Sequence, residues 1–477
     1  MVSFLKNLKD MYSKYRVVVC LALSTIFFIF STFWSSVTAF NVAFLTIIFM
    51  SSPVNEIIYY LVYFMMFSRS TVFFVLIAVT ALLCIIVKFV SSVVKREMTL
   101  SKLPLIVTTS IVIVFSLINY SLKFEGVCQG LLVIGLLYLG YMLFCYRDKI
   151  DVKTLLTVLF IGILSSAIVS LILYNIPKAE ILYYDTDDFY LKSVKNLIFI
   201  RESNFSRLML LSYHPNHLNS YCLFIMSYIV HQLINEKIAN KKDLIVYFIA
   251  FSICFAVGLM TVSKAFLLCT VLIIGYGCLF LMIKHRKQSW KYIIPIVLIV
   301  LIIGLCFLKT ILITLGRFFS GEFNDTIAST ITTGRTDIWK QYFKEIFSSP
   351  WKILFGHGIF ATDIVAIGAH NTYVSVLYRF GFLGVIALGG LLLTYYFECK
   401  NLHFSLFKFL PMVFLFVYAL QEVIIDERFL FLVLAIMLLF EKNNDSINNN
   451  TDAEDDKQLK NITYNNKVKM KVSKKKQ

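Results

Sequence analysis

Residues 71–94 read TVFFVLIAVTALLCIIVKFVSSVV, an apolar run long enough to cross a bilayer as a helix. Runs of this kind recur along the chain. It has 477 residues, 59% of them hydrophobic and 16% aromatic, with a mean hydropathy of +0.79. In hydrocarbon each backbone N–H and C=O must be bonded within its own segment, so helices are expected; barrel strands would be short and alternating. The fold expected is an all-α polytopic integral membrane protein. Working outward from 71–94, spans are expected near 17–34, 37–51, 54–67, 103–120, 127–146, 154–175, 208–233, 244–262, 265–283, 292–312, 372–397, 404–420 and 428–441. That makes about 12 to 14 transmembrane helices, with 37–67 read as two short helices in preference to one broken one.

The formal charge of +17 invites a nucleic-acid reading, and its distribution argues against one. The positives sit in short clusters between spans: Lys6, Lys9, Lys14 and Arg16; Lys95, Arg96 and Lys102; Lys237, Lys241 and Lys242; Lys284, His285, Arg286 and Lys287. Lys and Arg in short loops mark the cytoplasmic face, so the charge reports topology and no nucleic-acid partner is expected. On that map both termini are cytoplasmic, and the two longest loops, about 176–207 and 313–371, share the outer face. Met1–Arg16 runs into a long span without a small-residue cleavage site and reads as a first helix, not a removed leader. The ten cysteines form no CxxC pair, and nearly all lie in apolar spans, which points to packed, reduced thiols. Residues 1–441 read as one membrane domain. The Asn-, Asp- and Lys-rich tail 442–477 reads as a disordered cytoplasmic extension.

Residues able to do chemistry gather in the two outer loops. Gly334-Arg335-Thr336-Asp337-Ile338-Trp339, Gly356-His357-Gly358 and His370-Asn371-Thr372-Tyr373 form a polar interval between apolar spans. An interfacial His such as His370 can take a proton from a sugar hydroxyl; the bland alternative is a ring that caps a helix or reaches water. Asn371 can serve as a plain helix cap, and Tyr373 follows as a binding candidate. Arg335 precedes Trp339 by one helical turn and offers a guanidinium that holds phosphate in two-point fashion. Arg317 is either an interfacial anchor or a second phosphate ligand. In the earlier loop, Arg201 and Arg207 flank Asn204 and lead into Tyr213-His214-Pro215-Asn216-His217, where Pro215 suggests a break that only a polar cavity tolerates. His214 and His217 have zinc-like spacing without further ligands nearby, so no metal is expected. Lys264 sits in the Met260-Thr261-Val262-Ser263-Lys264 turn, as a snorkelling cation or a phosphate ligand. Arg379 lies within a span and must face the bundle interior; Glu422, Asp426 and Glu427 are candidate partners for such buried arginines. Glu422 or Asp426 is also the rival to His370 as base. Asp185-Thr186-Asp187-Asp188 resembles the metal-holding DxD of nucleotide-sugar transferases and is read as a solvated surface.

The ordered set Gly334-Arg335…Trp339, Gly356-His357-Gly358 and His370-Asn371…Phe380-Gly381…Gly384 resembles the C-terminal module of the O-antigen polymerase (Wzy-type) and O-antigen ligase superfamily. The likeness is strong over about 50 residues, and His214-Pro215-Asn216 and the Thr261-to-Lys264 turn support it less specifically. It implies a GT-C-like integral glycosyltransferase that moves a glycan from undecaprenyl pyrophosphate to an acceptor hydroxyl. His370 would activate the acceptor; Arg335, with Arg317 and Arg207, would hold the pyrophosphate. Relatives often carry Arg where this chain has Lys264, which cannot bind in two-point fashion. The partners implied are the undecaprenyl-pyrophosphate-linked oligosaccharide and membrane lipid, with a chain-length regulator and a flippase as further associates. No cofactor is expected. The readings left beside a polymerase are an O-antigen ligase, which transfers to lipid A–core, and a flippase. A flippase would scatter its polar groups through the spans at mid-membrane, whereas here they cluster in two loops.

Overall fold

The computed structural model describes residues 2–34, 36–98, 100–118, 123–176, 178–185, 188–202, 205–212, 214–235, 241–319, 335–364, 368–398 and 410–420. The described part is built of helices and has no sheet core. Its first helices are α1 (Val2–Ser31), α2 (Ser36–Ser51), α3 (Val54–Phe64), α4 (Thr71–Val94), α5 (Lys102–Leu117), α6 (Phe124–Cys145) and α7 (Val152–Tyr174). A short helix, α8 (Lys195–Ile198), precedes α9 (Pro215–Asn235), α10 (Lys241–Met260), α11 (Lys264–His285), α12 (Trp290–Cys306) and α13 (Leu308–Phe319). The last described helices are α14 (Arg335–Ile346), α15 (Pro350–Phe355), α16 (Thr372–Glu398) and α17 (Leu410–Ala419). By length and composition, six of the described helices can cross a bilayer, or seven if the bent α12–α13 pair counts as one. This is a multi-pass all-α membrane protein. The expected spans 17–34, 37–51, 54–67 and 103–120 appear as shorter apolar helices, while 428–441 lies outside the described residues.

Pro53 separates α2 from α3, so 37–67 is two helices, as expected. Other boundaries differ from the sequence reading. The run expected as one span over 292–312 bends by 82° between Cys306 and Leu308. The expected 208–233 helix begins only at Pro215, because Pro is suited to the first helical position and ends nothing there. Two hairpins occupy the first long loop: β1 (Glu180–Asp185) with β2 (Asp188–Ser193), and β3 (Phe199–Glu202) with β4 (Phe205–Leu208), both antiparallel. Ile181-Leu182-Tyr183-Tyr184 facing Phe189-Tyr190-Leu191 is the residue mix that favours strands. The pairing sets Asp185 opposite Asp188, the last described residues of the two strands on that side.

The bundle shares one large apolar core, and α9 runs through it with almost every residue buried. Polar clasps join the first helices: Ser24 donates to Asn41 (2.7 Å), Asn41 donates back to the Ser24 carbonyl (3.0 Å), and Arg16 pairs with Glu56. The segment after α13 has a small core of its own, in which Tyr342 and Ile346 of α14 pack on Ala361, Ala369, Val374 and Tyr378. Its anchor is a break in α16. Gly381 is non-helical (φ +61°), and the two carbonyls before the break, Tyr378 and Arg379, accept from the backbone N–H groups of His357 and Gly358 at 2.9 Å each. Gly356 (φ +69°) lies directly against Gly381, so a methyl on either would meet the other segment's backbone at 2.4–2.5 Å. Gly356→Ala should therefore lower stability by more than ~1 kcal/mol, while Gly389→Ala, within α16 with open space around it, should change little. Thermal unfolding in detergent compares the two.

Candidate functional site

Four of the described helices, α9, α11, α14 and α16, begin in one region. At α9 the ring Nδ1 of His214 accepts the Asn216 N–H (3.2 Å), and Pro215 needs no partner there. At α11 the Ser263 hydroxyl accepts the Phe266 N–H (3.4 Å). At α16 the Asn371 Oδ1 accepts the Val374 N–H (3.1 Å). α14 opens on Arg335 itself. The positive ends of these helix dipoles add to the side-chain charges beside them.

The charges are gathered by one turn. Arg207 of β4 donates from Nε to the Thr261 carbonyl (2.9 Å) and from Nη2 to Asn216 Oδ1 (2.9 Å). The next carbonyl, Val262, accepts from Arg317 Nη1 on α13 (2.8 Å). Buried Lys264 follows in the same turn and is repelled by both Arg317 and Arg335. Arg207, Lys264, Arg317 and Arg335 thus form one cationic group drawn from four elements.

His370 is tied to that group from both sides. Before it, the Ala369 carbonyl accepts from the indole of Trp339, one turn after Arg335 on α14 (2.8 Å). After it, Asn371 Nδ2 donates to Leu420 (3.0 Å), just beyond α17, whose Tyr418 donates to the Asn216 carbonyl (2.6 Å). Tyr373 donates to the Phe416 carbonyl (3.0 Å), a third tie to α17. Backbone strain collects here too: Leu210 (φ +56°), Val262 (φ +50°) and His370 (φ +45°) all occupy the left-handed region. For β-branched Val262 that is a true outlier, and each such residue costs about 1–3 kcal/mol.

Sequence reasoning passed over Arg69. It is buried, and its backbone N–H donates to Leu211 (2.8 Å), which sets it beside the 207–216 segment. The available signal was a charge, Ser68-Arg69-Ser70, between two apolar runs. Tyr418 carried no signal beyond its place in an apolar run.

Two expected site residues lie elsewhere. His357 is buried and stacked on Tyr378 (4.3 Å between centroids), with Nδ1 at the Tyr378 carbonyl (3.2 Å) and Nε2 at Glu345 (3.2 Å). Arg379 is buried against Gln129, the Ile359 carbonyl (3.3 Å) and Asp363 (3.8 Å). Both brace the Gly356–Gly381 junction. Glu422, Asp426 and Glu427, expected near buried arginines, lie outside the described residues, as do Asn204, Tyr213 and Gly334. Arg201 is on β3 with its Cα opposite Ser206, and its side chain is outside the described part. Among the described residues no three His, Cys, Asp or Glu side chains gather as a metal group would need.

Residues 248–389 match the family model described as O-antigen ligase. The match runs from within α10 into α16, takes in Lys264, Arg317, Arg335 and His370, and is consistent with the O-antigen ligase/polymerase superfamily. That family is a glycosyltransferase-like class whose reaction is glycan transfer of the ligase or polymerase type. Arg69, Arg207, His214 and Asn216 precede the matched region. No curated protein and no solved structure matches the chain.

Burial pushes the His357 imidazole pKa down, against the raising influence of Glu345 and the Tyr378 carbonyl. Hydrogen bonds from Lys352 and His357 hold the Glu345 carboxyl below its ordinary value. A depressed folded-state pKa contributes stability that is full above the unfolded value and is lost as pH falls through the folded one. For His357 that loss begins below ~6.5, and for Glu345 further down. The unfolding midpoint should therefore drop between about pH 7 and about pH 5, and His357→Gln should flatten the upper part of that slope.

Proposed function

We propose that this protein is a polysaccharide polymerase. It transfers a glycan from undecaprenyl pyrophosphate to the terminal sugar hydroxyl of another lipid-linked repeat unit, on the outer face of the cytoplasmic membrane. The observation that carries the reading is the cationic group Arg207, Lys264, Arg317 and Arg335, tied through Trp339 and Asn371 to a strained His370.

The chemistry follows from what these residues can do. The anomeric carbon of such a donor already bears its leaving group, so catalysis consists chiefly of positioning and of offsetting the charge that develops on the departing pyrophosphate. Like charges held together by backbone carbonyls repel one another, as Lys264 is repelled by Arg317 and Arg335, and a diphosphate relieves that repulsion. Arg317 and Arg335 offer planar guanidinium donors to it, and Lys264 a point charge. His370 removes the acceptor proton as the hydroxyl attacks opposite the leaving group, which inverts the anomeric centre. The pyrophosphate departs with the bonding electron pair, and neither a metal ion nor a nucleotide sugar is required. A chain-length regulator and a flippase are the natural associates of such an enzyme, and both termini lie in the cytoplasm.

Transfer to lipid A–core, the ligase reading, needs the same donor site and base and differs only in the acceptor. Incubating the purified protein with a lipid-pyrophosphate-linked repeat unit separates the two. A ladder spaced by whole repeat units, with free lipid pyrophosphate released, is the outcome expected. Transfer that occurs only when lipid A–core is added favours the ligase. Movement of intact substrate across a vesicle bilayer without bond formation favours a flippase and leaves His370 without a catalytic role. In the same assay His370→Ala should lower turnover by about 10²- to 10⁴-fold while the protein stays folded. Arg335→Ala should lower it by roughly 10²-fold, as loss of one charge-stabilising donor does. Unchanged chain growth in His370→Ala would move the base to Glu422 or Asp426.

A further inference from the structure

The segment between α13 and α16 carries an apolar surface that its own core does not use. Tyr342 and Ile346 of α14 face inward, while Phe343 and Phe347 face outward and stack on each other (6.1 Å). The outward stripe continues through α15 as Trp351 and Leu354, with Trp351 stacked on Phe355 (5.7 Å). Phe347 is 56% exposed and Trp351 64%, large values for aromatic side chains on helices outside the spans. Lys340 and Lys344 stand exposed alongside. An aromatic face bordered by lysines is the composition of a bilayer interface.

Three neighbouring features fix which level of the bundle this surface occupies. Trp351 and Phe355 line a groove of about 350 Å³ whose other wall is Val114, Leu117 and Ile118, the end of apolar helix α5. Leu117 is itself 80% exposed and so belongs to the lipid-facing surface of the bundle. Gly358 packs on the Ile118 carbonyl, and Gly356 on Gly381. Directly after Gly381, α16 passes from buried Arg379 and Phe380 to exposed Phe382, Leu383, Val385 and Ile386. The end of α5, the start of the lipid-facing part of α16 and the end of α15 therefore share one level, where apolar surface begins. The stripe of α14 and α15 continues that surface.

We propose that the α14–α15 hairpin is seated in the bilayer interface, with Phe347 and Trp351 among the lipid chains and a phospholipid acyl chain in the groove between Trp351, Phe355 and the end of α5. This seat supports the positions of Arg335, which opens α14, and of Ala369–His370, which Trp339 holds to it. It does not depend on the reaction assigned above.

The test uses the full chain in nanodiscs of phosphatidylethanolamine and phosphatidylglycerol, with a photoreactive benzoylphenylalanine in place of Phe347, Trp351 or, as a control, exposed Gln341. After irradiation, mass spectrometry reads what each position has captured. Phospholipid adducts at 347 and 351, well above the level at 341, are expected. Adducts at 347 and 351 no higher than at 341 would overturn the proposal. So would capture of a second copy of the chain or of another polypeptide at those positions in place of lipid. Because the readout is a lipid adduct, its result stands apart from any result of the glycan-transfer assay.

Discussion

Two adjacent carbonyls, Thr261 and Val262, hold the guanidinium groups of Arg207 and Arg317, and the whole polar region is arranged about that pair of hydrogen bonds. A backbone carbonyl at the end of an apolar helix has few partners available, and a buried arginine has several donors to satisfy. Joining the two answers both demands at once. The turn draws β4 and α13 onto the start of α11, and Lys264 then completes a concentration of positive charge. Such an arrangement is poorly stable for its own sake, since like charges at close range repel. A multiply charged anion among them would relieve that repulsion.

The strained backbone belongs to the same construction. Leu210, Val262 and His370 adopt left-handed conformations without being glycine, each in a loop leading into a helix that starts near the charges. Such strain persists only where the surroundings over-determine it. Here they do: Tyr418 and Asn371 tie α17 to the starts of α9 and α16, and Trp339 ties α14 to Ala369. The His357–Glu345–Lys352 and Arg379–Asp363–Gln129 contacts stand apart from the charges and brace the glycine junction on which α14 depends. Charged and imidazole side chains in this loop thus divide into those gathered beside the Thr261–Val262 turn and those that support the loop. Sequence order alone runs the two sets together.

Much was legible in the chain before folding was considered. Apolar runs such as 71–94 determine helices, because hydrocarbon leaves the backbone no other partner. The motif residues Arg335, Trp339, His370 and Asn371 were identifiable as one polar interval, and 37–67 as two short helices. Local pattern failed where tertiary contact sets the outcome. Nothing in 292–312 announces an 82° bend, and the Tyr-bearing segments 180–185 and 188–193 form strands inside a helical protein.

What the sequence by itself determined is the class: a multi-pass helical membrane protein with its reactive residue types collected between spans, since length and hydrophobicity of a run are properties of neighbours along the chain. Only the tertiary structure decided which of those residues meet. Arg207 and Thr261 are 54 positions apart, and Asn216 and Tyr418 are 202 apart. His357, a glycine-flanked candidate by motif, is drawn off to Glu345 and Tyr378 instead. Contacts at such separations depend on how helices pack, which no local periodicity encodes.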